Sequence, residues 1–376
     1  MAKQRISSLF LAIIVLILAA SVSFSTARNY QPTRETRFPT LNCVAPSPSP
    51  KPAPSPSPYP DDVIKGGYWP SWLAYSLPLS SIPTLYFTHV FYAFVGIDAS
   101  SYGLSITQPD DQWMGNFTAT LHAKKPPAQA SRKYGFDGLD IDWEFPNNPT
   151  DMSNLEVFFK EWREAVESEA SASSKPPLLL SAAVYFASSF FLDLPRTYPT
   201  DAIAKYLDFI NPMCFDYHGS WDTSVTGEHA LLYDKTSNIS TSYGISSWIE
   251  AGVPPKKLVL GMPRYGKSWK LKHPKNHGIG APANGVGPGN NGIMLYSDIV
   301  KYNDEHYAHV VYDGDTVSEY SYSGIDWIGY DGTTSVEKKV EYAKTQNLGG
   351  YFFWALGYDM NWTLSGIASN TWERMH

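Results

Sequence analysis

The sequence predicts an α/β fold whose parallel strands close into a barrel, and two observations carry that expectation. Short apolar runs recur at 63–69, 88–95, 136–145, 178–186, 209–215, 258–263 and 349–355. Helical patterns lie between several of them, as at 154–172 and 335–346. Strand, helix, strand repeated along a chain means parallel strands with helical crossovers. Runs that stay apolar instead of alternating belong to a sheet covered on both faces. A (β/α) barrel closes this many units within one domain, and an open doubly wound sheet is the alternative.

Taken in order, the 376 residues begin with Lys3 and Arg5, an apolar stretch over 6–20 and the small residues Ser25-Thr26-Ala27. That pattern is an export signal over residues 1–27, because the apolar stretch is shorter than the ~20 residues a membrane span needs. No second run of such length follows, so a soluble, secreted protein with no membrane attachment after cleavage is expected. Residues 28–62 change character. From Pro46 to Pro60 every second residue is proline. Proline fixes φ and removes a donor, so this stretch is read as an extended, disordered linker. The remaining span, 63–376, is the folded domain.

Composition narrows the function. Charged residues are 17% and aromatics 15%, which excludes a disordered chain or a coiled coil. The formal net charge of −7, without a basic cluster, argues against nucleic acid as a partner. Two cysteines, Cys43 and Cys214, cannot build a disulfide framework or a cysteine metal site. Three sequons, at Asn116, Asn238 and Asn361, fit an exported chain.

The chemistry concentrates in Phe136-Asp-Gly-Leu-Asp-Ile-Asp-Trp-Glu-Phe-Pro146. In a strand, alternate side chains share a face. Leu139, Ile141, Trp143 and Phe145 then point one way, and Asp140, Asp142 and Glu144 the other. Carboxylates this close oppose one another's ionisation, which raises at least one pKa. A solvated edge strand or a divalent-cation site are other uses of such a row. The Trp-Glu-Phe-Pro end favours an apolar-walled pocket instead.

Asp137-Gly-Leu-Asp140-Ile-Asp142-Trp-Glu144 resembles the DxxDxDxE signature of glycoside hydrolase family 18, and more narrowly the plant class V chitinases. Further matching segments follow in family order: Gly67-Tyr-Trp-Pro70, Phe91-Tyr-Ala-Phe94, Met213 to Trp221, Gly261 to Trp269 and Gly350 to Ala355. The resemblance implies a TIM-type (β/α)8 barrel with a small α+β insertion at about 267–327. It also implies a monomeric chitinase that cleaves N-acetylglucosamine oligomers or chitin without a cofactor or metal. The nucleophile would be the substrate's own N-acetyl group, a recognised exception among paired-carboxylate glycosidases. By the same resemblance Glu144 is the general acid, Asp142 orients the acetamide, and Asp140 shares a proton with Asp142. Tyr68, Phe94, Met213, Asp216, Tyr217, Tyr265 and Trp354 would line the sugar site, with Trp354 as its floor.

Three departures stand out. Phe215 occupies a position where the family usually has tyrosine, and Tyr217, two places on, is the expected substitute. Lys267 stands where many relatives carry arginine. Between the run at 88–95 and the carboxylate strand, the family's third strand and its Ser-x-Gly-Gly motif are missing. One helix, expected at 111–124, fills most of that interval, and Pro126-Pro127 cannot enter a central strand. The barrel is therefore expected to be incomplete. A weakly catalytic or inactive sugar-binding relative is the alternative function, and a cell-wall structural role through the linker a third.

Overall fold

The structure is a computed structural model that describes residues 14–16, 63–98, 100–101, 103–124 and 134–374. The linker, Cys43 and the rest of the leader lie outside the described residues.

Seven strands occupy the seven apolar runs: β1 (Ile64–Pro70), β2 (His89–Ala93), β3 (Gly138–Trp143), β4 (Leu179–Tyr185), β5 (Phe209–Met213), β6 (Val259–Pro263) and β7 (Gly350–Trp354). All pair in parallel, in the spatial order β2-β1-β7-β6 and β5-β4-β3. A parallel bridge, Ile210 to Leu258, joins the two stretches. Apart from β2 and β3, each strand thus lies beside its neighbour in the chain, as in a singly wound barrel. An open doubly wound sheet reverses its order part-way, so that alternative is excluded. At Gly350, φ is +152°, and a Cβ there would stand 2.0 Å from the Ile64 carbonyl oxygen. Only glycine lets β7 approach β1 so closely.

Helices α1 (Gln108–Lys124), α2 (Pro149–Ser173), α3 (Thr200–Tyr206), α4 (Thr241–Glu250), α5 (Tyr296–Glu305), α6 (Thr333–Thr345) and α7 (Thr363–Arg374) complete the framework. The clearest sequence logic is in α2. Asn148 caps it by accepting from the Asp151 amide at 2.9 Å, and Pro149 takes the first helical position, where no donor is needed. Met152, Leu155, Phe159, Trp162 and Val166 recur at three- and four-residue intervals and are buried together with Leu139 and Ile141 of β3. A second cluster joins Trp69, Tyr92, Met114, Phe117 and Phe136, which seats α1 beside β1 and β2.

The interval between β2 and β3 holds a short hairpin, Gly96–Ile97 with Leu104–Ser105, followed by α1. The helix begins three residues before the expected 111. Among the described residues no parallel strand lies between β2 and β3. The outer edge of β3 pairs instead, antiparallel, with Ile14–Leu16, placing Val15 opposite Asp142. Val15 also faces Gly96.

Between β6 and α6 the chain leaves the barrel as an antiparallel sheet. Its order is Ala283–Val286, Tyr265–Leu271, Asp326–Tyr330, Ser318–Ser323 and His309–Asp313, with Ile293–Leu295 alongside Tyr265–Leu271 and α5 connected to it. This unit starts at Tyr265, two residues before the expected 267. Trp269 and Trp327 meet edge-on at 5.5 Å in its centre.

Candidate active site

The pleat of β3 sends Leu139 and Ile141 outward into the core and leaves Asp140 and Asp142 on the inner face, both buried. Glu144 follows the last residue of the strand and is solvent-exposed at the mouth. Asp140 is held on both oxygens. Ser181 donates to its Oδ1 at 2.6 Å and Tyr68 to its Oδ2 at 2.8 Å. Asn211 in turn donates to the Tyr68 hydroxyl at 3.0 Å. Asp142 differs, since its Oδ1 is buried and has no hydrogen-bond partner.

Burial dominates the electrostatics. It pushes the Asp140 carboxyl up to about 6, against the downward pull of the Ser181 and Tyr68 hydroxyls. Burial, then the charges of Glu144 and Asp140, lift Asp142 well above the usual carboxylate range. Although exposed at the mouth, Glu144 is raised by partial desolvation against the cleft wall and by the negative charge of Asp216. Each of the three carboxyls therefore keeps its proton to a higher pH than an ordinary carboxylic acid does.

Asp216 faces them from the segment after β5, at φ +61°, a conformation strained for a non-glycine residue. Tyr265 donates to its Oδ1 at 2.8 Å, and Lys267 Nζ lies 2.8 Å from the same oxygen. Although burial opposes it, His229 and Lys267 hold this carboxyl below its ordinary range. Lysine thus supplies the cation at the position where arginine was expected.

An aromatic floor completes the cleft. Trp354 and Phe94 stack at 5.4 Å, and Trp72 leans on both at 6.3 and 6.0 Å. Trp72 is 55% exposed, a large apolar surface at the mouth of the site. Met213 is half-buried at the end of β5, beside this cluster.

Tyr68 is buried, stacks on Phe91 at 4.6 Å and leans on Trp354 at 5.6 Å, so it links Asp140 to the aromatic floor from beneath. One expected lining residue is placed elsewhere. Tyr217 turns into the core, where its hydroxyl meets Thr241 Oγ1 at 3.1 Å and its ring packs on Phe186. Strand pairing ends at Met213 and Asp216 breaks the pleat, so alternation cannot carry Tyr217 to the inner face. The hydroxyl absent at Phe215 is therefore not replaced from Tyr217. Ser181, Asn211, Trp72 and His229 were not anticipated. Ser181 and Asn211 are lone polar residues in apolar strands, and Ser181 lies in register opposite Asp140. Among the described residues no three His, Cys, Asp or Glu side chains are arranged to hold a metal ion.

The family model for glycosyl hydrolases family 18 matches residues 128–359, from before the catalytic strand to beyond Trp354. The chain belongs to that family. It is therefore a glycoside hydrolase with a TIM-barrel fold. It is 45% identical over 344 residues to a class V chitinase of Lotus japonicus, covering 82% of this chain and 86% of that protein. The crystal structure of a class V chitinase mutant from Nicotiana tobaccum in complex with NAG4 superposes with a TM-score of 0.77 at 38% identity, covering 82% of this chain and 99% of the other. A chitinase-like agglutinin from Robinia pseudoacacia superposes with a TM-score of 0.74 at 37% identity, over 82% and 99% of the two chains.

The buried Asp140 gives a pH signature for this family 18 site. A carboxyl raised from 3.8 to about 6 binds its proton more tightly in the folded state. Its contribution to stability is full below about pH 4 and is lost as pH rises through 6. In Asp140→Asn, the fall in stability between pH 4 and pH 7 should shrink by on the order of 3 kcal/mol. Urea unfolding across that range measures it, and an unchanged slope would place the burial penalty elsewhere.

Proposed function

We propose that this glycosidase is an exported chitinase that cleaves the β-1,4 bond between N-acetylglucosamine units with retention of configuration. The observation that carries the reading is Asp142 Oδ1, a buried acceptor without a donor. Such an atom is satisfied by an N–H arriving with the substrate, and the acetamide of N-acetylglucosamine supplies one. Glu144 protonates the glycosidic oxygen as the bond from C1 to that oxygen breaks. The acetamide carbonyl oxygen forms the new bond to C1, giving a cyclic oxazolinium whose positive charge Asp142 and Asp140 offset. Water then attacks C1 as the bond from C1 to the acetamide oxygen breaks, gives its proton to the Glu144 carboxylate, and leaves the product with its acetamide restored and its original configuration.

Export rests on the basic-apolar-small leader, whose removal takes Ile14–Leu16 from the edge of β3, and on the sequon residues Asn116, Asn238 and Asn361, which are all exposed. Proton NMR of fresh digests of N-acetylglucosamine oligomers tests the reaction. The β-anomer should form first, and fully de-acetylated oligomers should not be cleaved. Prompt α-anomer or equal cleavage of the de-acetylated series would overturn the substrate-assisted route.

The floor gives a second test. Trp354→Ala removes a stacking face of about 1–2 kcal/mol, so KM should rise on the order of tenfold with kcat less affected. Equal KM in wild type and variant would remove Trp354 from the sugar site.

A second reading, sugar binding with little turnover, is favoured by Phe215, whose missing hydroxyl Tyr217 does not replace. The likeness to the Robinia agglutinin supports it. Tight binding of the oligomers with no reducing ends released would decide for it.

A further inference from the structure

A buried imidazole behind Asp216 imposes a requirement of its own. The His229 side chain is 0% exposed. Its Nε2 lies 3.0 Å from the backbone carbonyl oxygen of Tyr265. A carbonyl only accepts, so Nε2 carries a proton. Its Nδ1 lies 3.6 Å from Asp216 Oδ1 and has no hydrogen-bond partner in the structure. In a neutral ring protonated on Nε2, Nδ1 would turn a lone pair toward a carboxylate oxygen in a place closed to water. Two facing acceptors repel, and low local dielectric enlarges the penalty. The doubly protonated ring removes the conflict. The backbone is already set for this contact, since the Tyr217 amide donates to the His229 carbonyl at 3.0 Å and ties the two segments together.

We propose that His229 is a positioning residue of the hydrolytic site, held as an imidazolium that donates from Nε2 to the Tyr265 carbonyl and from Nδ1 to Asp216. This rests on the glycosidase reading above. The groups facing His229 are Asp216 from the end of β5, Tyr265 and Lys267 from the strand after β6, and His218 from the following loop; Glu228 adjoins it in the chain. The contacts from Tyr265, Lys267 and His229 all converge on Oδ1 of Asp216. Two cations and a hydroxyl then fix one oxygen of a carboxylate that is itself 46% exposed and strained at φ +61°. The distance of 3.6 Å is long for a hydrogen bond, and such contacts commonly tighten when substrate binds. The consequence for turnover runs through Asp216, whose negative charge helps keep the proton on Glu144.

Two substitutions separate the two bonds. Asparagine sets its amide nitrogen near the place of Nδ1, and glutamine near that of Nε2. In the full chain, both variants lose the positive charge, but His229→Asn should lose clearly less kcat on N-acetylglucosamine oligomers than His229→Gln, which should lose about tenfold or more at little-changed KM. A merely structural role, through the Tyr265 carbonyl, predicts the reverse order. Equal losses or the reverse order would overturn the proposal. Nitrogen-15 NMR of the histidine-labelled wild-type chain supplies a readout that needs neither variant to fold. Both ring nitrogens of His229 should carry protons at the pH of hydrolysis, and Asp216→Asn should remove the Nδ1 proton. A bare Nδ1 in the wild type would also overturn the proposal. Because this spectrum reads no turnover, failure of the wild type to cleave any oligomer would sink the glycosidase reading alone.

Discussion

Replacing Glu144 with glutamine should reduce kcat on N-acetylglucosamine oligomers by about 10²–10⁴ while leaving their dissociation constants within a few-fold of wild type. The amide keeps the volume and the polarity of the side chain but has no acidic proton to give the leaving oxygen. The aromatic surfaces proposed to hold the sugar, Trp354, Phe94 and Trp72, lie on β7 and after β2 and β1, so the substitution does not reach them. Glu144 is also the one member of its row at the mouth, since Asp140 and Asp142 are buried beneath it. Partial desolvation against the cleft wall and the charge of Asp216 both raise its pKa. An acid is protonated below its pKa, so activity should persist toward neutrality and fall as pH rises through that raised value. Reducing-end assays give kcat and titration calorimetry gives affinity. A variant with near-full turnover would remove the acid role from Glu144, and a variant that no longer binds would show that the side chain holds the sugar.

The sequence displayed the parts of this site that follow from periodicity. Alternation along β3 was enough to place Asp140, Asp142 and Glu144 together, because a pleated strand leaves no other arrangement. The seven barrel strands were visible as apolar runs because both faces of the sheet are covered. What alternation could not reach was the ground beyond a strand's end. Tyr217 was assigned to the cleft by extending β5 past Met213, and the left-handed turn at Asp216 defeats that extension. Tyr68 enters the site only through the family resemblance, and no periodicity announces the bond from its hydroxyl to Asp140. Ser181, Asn211 and His229 act across gaps of 41, 71 and 36 residues in their bonds to Asp140 and Tyr265, and no local pattern announces pairing over such distances. The pairing of Ile14–Leu16 with β3 was invisible for another reason. An apolar stretch near a chain start has the same composition whether it is read as a leader or joins a sheet.

Inserting a parallel strand and its helix after Pro127 should raise the thermal midpoint of residues 63–376 by more than about 10 °C, the largest stability change expected of any alteration to this chain. Among the described residues β2 pairs only with β1, and β3 has β4 on one side alone once Ile14–Leu16 is absent. Two strand edges then present unpaired backbone groups, which seek other chains when exposed. A three-residue antiparallel pairing covers only Ile141 to Trp143, half of the six residues of β3. The inserted strand would satisfy both edges and add side chains to the core at the density of the rest of the interior. Together these changes amount to a large share of the ~5–15 kcal/mol that holds a domain folded. Turnover should rise with stability, because β3 carries Asp140 and Asp142 and its position depends on its neighbours. The comparison requires the 63–376 form, the same form with the insertion, and the full chain, each followed by thermal unfolding, dye binding and hydrolysis of N-acetylglucosamine oligomers. The expected order of midpoints is the inserted form first, then the full chain with Ile14–Leu16 present, then the 63–376 form. A cooperative melt of the 63–376 form at the same temperature as the inserted form, with equal turnover, would show that β2 and β3 close the barrel without a strand between them.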